Sequence, residues 1–419
     1  MTHIGVVAGW QADNIGDVAH IPGTLVALQR RHPDARLSLL VHNINERELR
    51  MLARYFPDVT LVTDRLEADA PVTPELERFL SDVDVLVHGS GPALVAGEVL
   101  QEWSRRTQQP YGVFAITVDP IRPYEGTLDH LVPMIHAIDG DLLTELEREV
   151  FSGASFLHTR ESLSRDFLQG QDIGPVRPRF GPDATVLCDF YDDADGRSVI
   201  EEYDLVDGEF LCAVPRLRFT PYHTIRGYAP GPEDHRKMAY NAGHVQDDFE
   251  VLRAGITAWV RRTGHRALIV PEMSYAVATA QQHLAGTFPE DVADKILVLP
   301  RFWELQEAAA VYRHSAGVLS MECHSPLLAV AEAVPTVYLR QPTDTIKGHM
   351  YRDLGLDSHL VEVDHDDAVA QVEQVVTTIL DDTDAARDRM QAAKDLAAPL
   401  LASMADDVVA SITTPTTGR

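Results

Sequence analysis

Two arginines stand two positions apart in Val214-Pro215-Arg216-Leu217-Arg218-Phe219, where an apolar run ends. Alternate residues of an extended chain share a face. Arg216 and Arg218 would then form a guanidinium pair for a phosphate or carboxylate, held by parallel hydrogen bonds; the plain alternative is a surface ion pair. A second apolar run, 317–320, ends in Met321-Glu322-Cys323-His324-Ser325-Pro326. An imidazole there is a candidate general acid–base. A helix opening beside it is expected to lower its pKa and favour the neutral ring, with Glu322 pulling the other way. Cys323 reads as a small buried hydrophobe rather than a nucleophile. Asp344-Thr345-Ile346-Lys347-Gly348-His349 follows the next apolar run, and Lys347 there would give an anion a point charge, unless the segment is a plain solvated loop.

Two further polar turns lie near the start of the chain. In Asn14-Ile15-Gly16-Asp17, Gly16 would let the backbone approach a ligand. Asn14 would hold the turn or donate to a ligand hydroxyl, and Asp17 would cap the helix or take a proton from a substrate hydroxyl. His88-Gly89-Ser90-Gly91-Pro92 follows an apolar run and is either a tight turn or a hydroxyl-binding loop. The glycine fingerprint of dinucleotide sites and the P-loop are absent. The 18 histidines make no recognisable metal-ligand spacing, so no metal is expected.

The elements that must position these residues alternate short apolar runs with longer amphipathic ones, the α/β pattern. Strands are predicted at 4–8, 37–41, 59–62, 83–88, 111–118 and 155–159, and a turn at 181–183 precedes the apolar run 185–188. After an acidic, glycine-containing stretch past Phe190 a second series follows, with strands at 210–215, 267–270, 296–299, 317–320 and 336–339. Helices are expected at 245–263, 303–313 and 326–333. The expected fold is two doubly wound Rossmann-type domains, 1–192 and 193–365, facing across a cleft, then a helical segment 366–412 and a frayed tail 413–419. Ligands of such folds sit outside the carboxyl ends of the strands.

Composition narrows the partners. Thirty-six Lys and Arg against 64 Asp and Glu leave a net charge of −28 over 419 residues. That field repels nucleic acid and anionic lipid, so an anionic substrate needs a local cationic cluster. The three cysteines lack paired spacing, which suits a reducing compartment. With no leader pattern and no long apolar run, the cytoplasm is the expected location and no membrane span is expected.

The order of the motifs resembles the polysaccharide pyruvyl transferase family over about residues 3–360. Asn14-Ile15-Gly16-Asp17 resembles its opening Asn-x-Gly-Asp, and His88-Gly89-Ser90-Gly91 its glycine-rich strand end. Thr159-Arg160-Glu161-Ser162, Pro182-Asp183, the His324 strand end and Lys347-Gly348-His349-Met350 with Leu354-Gly355-Leu356 are similar to later segments. The resemblance implies a GT-B-like fold and pyruvyl transfer to a hydroxyl of a sugar-like acceptor. Phosphoenolpyruvate would be the co-substrate, with no other cofactor. It casts His324 as acid–base, with Asp17 and Glu322 beside it. Arg216, Arg218, Lys347 and Arg160 would hold the donor; Asn14, Gly16, His88, Gly89 and Ser90 would hold the acceptor. One departure stands out: Glu322 occupies the place of the family's arginine two before the histidine. A carboxylate there would repel the donor by about 1–4 kcal/mol. It also suits a GT-B glycosyltransferase whose glutamate holds a ribose. A ligand-binding member without catalysis, and a homodimer, are left open.

Overall fold

The carboxyl ends of two parallel sheets face each other, and every polar motif named above leaves one of those ends. The computed structural model describes residues 1–8, 12–41, 44–68, 72–122 and 124–413; the first residues, 9–11, of the loop expected at 9–17 and the tail beyond 413 lie outside them. The first sheet has strands β1 (His3–Ala8), β2 (Arg36–Val41), β3 (Thr60–Val62), β4 (Val85–His88), β5 (Tyr111–Ile116), β6 (Phe156–Thr159) and β7 (Pro178–Phe180) in the order β3-β2-β1-β4-β5-β6-β7. The second has β8 (Leu211–Val214), β9 (Ala267–Ile269), β10 (Ile296–Val298), β11 (Gly317–Ser320), β12 (Thr336–Arg340) and β13 (Leu360–Glu362) in the order β10-β9-β8-β11-β12-β13. Every recorded ladder pairing is parallel, from Ile4 against Leu37 to Tyr338 against Leu360. Parallel strands are covered on both faces, which is why β4 and β5 read as unbroken apolar runs and are buried along their whole length.

The chain reverses strand order beside β1 and β8, and there it places the polar turns. Helix Ile15–Arg31 leaves β1 with Asn14 as its N-cap, and the Asn14 side chain accepts from the Gly16 and Asp17 amides. Asn14, not Asp17, therefore caps this helix. Midway along it, Gly23 lies against the 3-10 turn Ala184–Leu187, where a Cβ would stand 2.2 Å from the Ala184 carbonyl oxygen. That close approach fixes Asp183 over the first sheet. The run 185–188 is thus a 3-10 turn on a helix, not a strand.

Two elements exceed their sequence signals. The helix expected from 245 begins at Pro232 and runs to Thr263. Its first turns are mostly solvent-facing and lack an apolar period. The C-terminal region is two helices, Ala368–Asp381 and Thr383–Thr413. The second is long and apolar enough to cross a membrane by length and composition. Here it returns to the first sheet, burying Met390, Ala397, Leu401, Met404 and Val408. Asp407 meets His158 at 2.9 Å and Asp406 meets Arg31 at 2.8 Å.

Candidate active site

Glu322, Cys323 and His324 line an interdomain cleft of about 230 Å³ together with Asn14, Asp17, Arg216, Arg218 and Lys347. Pockets for drug-sized ligands run roughly 300–1,000 Å³, so this one suits a small donor. His324 follows β11 and precedes the short helix Ser325–Ala331. Its ring is almost fully buried, with Nδ1 3.4 Å from Glu272 Oε1. Glu272 follows β9, and its other oxygen accepts from the Ser325 amide at 2.7 Å and the Ser325 hydroxyl at 2.6 Å. Tyr312 OH donates to that hydroxyl in turn.

The first domain supplies the other side of the ring. Arg160 Nη1 is 3.1 Å from His324 Nε2, and Asp183 Oδ2 is 3.9 Å from it. Arg160 also holds Asp183 at 2.8 Å and Thr117 at 2.7 Å. His20, one turn beyond Asp17, places Nδ1 3.3 Å from Asp183 and packs edge-on against His324, ring centroids 4.7 Å apart. Burial alone would push His324 down; Cys323 and Glu272 outweigh it and hold the imidazole well above its ordinary value. The expected lowering by the helix dipole is therefore reversed. The helix has only seven residues, and a carboxylate faces the ring. Asp183 moves the opposite way. Its burial is outweighed by His20, Arg160 and His324, which keep it well below the usual carboxylate range. The Nδ1–H tautomer satisfies Glu272 and Arg160, while a second proton, on Nε2, faces Asp183 at 3.9 Å and requires the Arg160 contact to give way. A ring balanced between these states is suited to give and regain a proton.

The arginine clamp does not form. Arg216 is 3.2 Å from Glu322 and also pairs with Asp344, whereas Arg218 pairs with Asp248 and Asp364. The ladder of β8 ends at Val214, and beyond it the two guanidiniums line the same cleft but take different carboxylate partners. Burial, with Glu272 and Asp344 against the pull of Arg216, pushes Glu322 up to about 8. Raised in this way and paired with Arg216, Glu322 opposes an anion less than a free carboxylate would. Lys347 sits on the cleft wall after Thr345, whose φ of 48° is a strained backbone state. Arg160 lies behind the wall, fully buried, with its guanidinium given over to Asp183 and Thr117, so it positions and does not line the cleft.

The glycine-rich turn after β4 reaches the cleft lining only at Pro92; His88, Gly89 and Ser90 are not part of it. His88 is buried, its Nδ1 on the Gly89 carbonyl and its Nε2 accepting from the Ala96 amide; burial pushes it down to about 4. Gly89 continues the ladder through the Val7 carbonyl. Ser90 reaches the site indirectly, its hydroxyl 3.4 Å from Asp183. The acceptor role expected of these three has no cleft-facing side chain to carry it. Sequence reasoning passed over Glu272 and His20, and gave Asp183 no role beyond its turn. A signal was available: Asp17 and His20 are one helical turn apart, and Glu272 stands just past a buried strand.

A sequence model described as polysaccharide pyruvyl transferase matches residues 14–341. The chain belongs to that family. The match begins at the Asn14 cap and includes His324, while Lys347 lies beyond it. No curated protein matches in sequence. Among solved structures, UDP-GlcNAc 2-epimerase from Neisseria meningitidis bound to UDP-GlcNAc is similar with a TM-score of 0.57 and 10% identity, over 98% of this chain and 100% of that one. Anabaena Alr3699/HepE in complex with UDP and glucose gives 0.54 and 10%, over 99% and 100%. The S. aureus MnaA co-structure with UDP gives 0.54 and 12%, over 94% and 91%. At these identities the likeness is one of fold: a GT-B-like pair of α/β domains.

Gly16 of this pyruvyl transferase family member has a steric duty. A Cβ there would lie 2.5 Å from Glu272 Oε1 and 2.5 Å from His324 Cβ and Nδ1. Gly16→Ala should cost about 1–3 kcal/mol by overpacking, read as a lower urea midpoint, and should reduce turnover by moving the ring. Glu161 gives a second test. It is buried, accepts from Thr117 and Ser164, and burial pushes it up to about 8 despite Arg160. A carboxyl raised on folding contributes stability that is complete below its unfolded pKa and is lost as pH rises toward 8. Melting temperature should fall between pH 5 and 8, and Glu161→Gln should make that slope shallower; an unchanged slope would assign the effect to other groups.

Proposed function

We propose that the protein transfers a pyruvyl group from phosphoenolpyruvate to hydroxyls of a sugar-like acceptor. The observation that supports this most is His324: a proton-holding ring on the wall of a small cleft that also presents Lys347, Arg122 and Lys237. Lys347 and Arg122 hold the donor's phosphate and carboxylate. His324 gives its proton to the methylene carbon, leaving the adjacent carbon electron-poor. An acceptor hydroxyl attacks that carbon and loses its proton to Asp17. A second hydroxyl on the acceptor then attacks the same carbon as inorganic phosphate leaves, its proton restoring His324 while the proton held by Asp17 departs with the phosphate, and a cyclic ketal closes. Family membership supports pyruvyl transfer as the reaction class.

Release of inorganic phosphate from phosphoenolpyruvate in the presence of sugar acceptors tests the reading. Lys347→Met should raise the KM for phosphoenolpyruvate roughly ten-fold, the equivalent of one charge-assisted hydrogen bond of about 1.5 kcal/mol. An unchanged KM would remove Lys347 from the donor site. A second reading has its own support. Glu322 lines the cleft and its Oε1 has no hydrogen-bond partner among the described residues, so a ribose hydroxyl would find an acceptor there. Consumption of a UDP-sugar without phosphate release would select that reading. Failure of both donors to shift the melting temperature would favour a ligand-binding protein without this chemistry.

A further inference from the structure

One cluster beside the cleft has a donor set that proton transfer alone does not require. Asp17, His20 and His324 each bring a ligand atom within 4.8 Å of the others. Both imidazoles turn Nδ1 toward a carboxylate: His20 toward Asp183 at 3.3 Å, and His324 toward Glu272 at 3.4 Å. A carboxylate on one ring nitrogen fixes the tautomer and leaves the other lone pair for a metal. His20 Nε2 is buried without a hydrogen-bond partner among the described residues, on a side chain 3% exposed. Asp17 Oδ1 lies 3.9 Å from it.

Charge points the same way. Asp17, Asp183 and Glu272 surround the two rings, and Arg160 is the guanidinium among them. Three carboxylates against one cation leave an excess of two negative charges, which a dication would neutralise. We propose that Asp17, His20 and His324 bind a divalent transition-metal ion of the zinc–cobalt class. Two imidazoles and one carboxylate are its donor set, and harder cations favour all-oxygen sites. Asp17 and His324 line the cleft, so a fourth coordination position opens onto it. The 3.9 Å between Asp17 and His20 is slightly wider than the roughly 3.3 Å between ligands of a tetrahedral ion. The ion displaces one contact, Arg160 on His324 Nε2; Arg160 keeps Asp183 and Thr117. A ring holding metal at Nε2 has no proton there to give, so metal and acid states exclude each other. That last clause rests on the proposed transfer reaction; the metal site does not.

Chelator-treated protein titrated with Co²⁺ tests the site. The expected result is a visible Co²⁺ absorption band that saturates at one ion per chain and is displaced by Zn²⁺. Asp17→Asn and His20→Gln should each weaken binding by at least ten-fold. Asp17 borders open solvent, so its variant should fold even where the buried His20 variant does not. His265→Gln, at an exposed pair with Glu209, should leave the titration unchanged. No band, or a band equally strong in the Asp17 and His20 variants, would overturn the site. Where phosphate release from phosphoenolpyruvate is measurable, it should fall with cobalt occupancy and return with EDTA. A rise with occupancy would overturn the exclusion while leaving the site standing. If no phosphate is released at all, the transfer reading fails and the absorption band still decides the metal.

Discussion

His324→Gln should lower turnover by about 10²–10⁴-fold, the usual contribution of a placed general acid–base, while circular dichroism stays that of the folded chain. Glutamine can still donate toward Glu272 Oε1, so the loss reports the missing proton and not a collapsed wall. The same ring predicts a pH profile. Cys323 and Glu272, against burial, hold it above the ordinary histidine value. The acid form is the active one, so the rate should persist through neutral pH and fall only on the alkaline side. A rate that already falls above pH 6 would show that the ring is not held above its ordinary value, and a rate that rises with pH would show that it acts unprotonated. Retained turnover in the glutamine variant would remove it from the chemistry.

Asp183→Asn should destabilise the protein by about 3–5 kcal/mol, because it leaves the buried guanidinium of Arg160 without its close partner. Arg160 is fully buried and Asp183 meets it at 2.8 Å, with His20 on the second carboxylate oxygen. Glu161, at 3.8 Å and raised by burial, is a poor substitute. Adding Arg160→Met to Asp183→Asn should recover part of the loss, since the orphaned charge leaves with it. Urea unfolding of the single and double variants measures both terms. Equal midpoints for Asp183→Asn and the parent protein would mean that the ion pair contributes nothing to stability.

The alternation of apolar runs and amphipathic helices was enough to read two parallel sheets with polar turns at their carboxyl ends. His324 was legible for the same reason, as a titratable group where a buried strand stops. Its partners were not. His20 and Asp183 meet across 163 positions of sequence, and Ser325 and Glu272 across 53. No local period encodes such meetings; they follow from how two sheets and a glycine-permitted helix contact come together. The guanidinium pair failed for a related cause. Spacing of two brings both guanidiniums to one cleft, but it says nothing of the distant carboxylates that engage each of them separately. The direction of the imidazole shift was misjudged because the local helix was visible in the sequence and the distant Glu272 was not.

The N-terminus of helix Ile15–Arg31 is sewn to the other domain by main chain: Ile15 donates to the Glu272 carbonyl at 3.0 Å, and Ser274 donates to the Asp13 carbonyl at 2.9 Å. Those bonds run through the same few residues that carry the imidazole's neighbours. Hinged enzymes commonly gape between turnovers to exchange their cargo, but gaping here would rip this seam and scatter the proton-handling groups with it. Traffic should instead pass lengthwise through the groove mouth, and separately expressed halves should be inert until they dock.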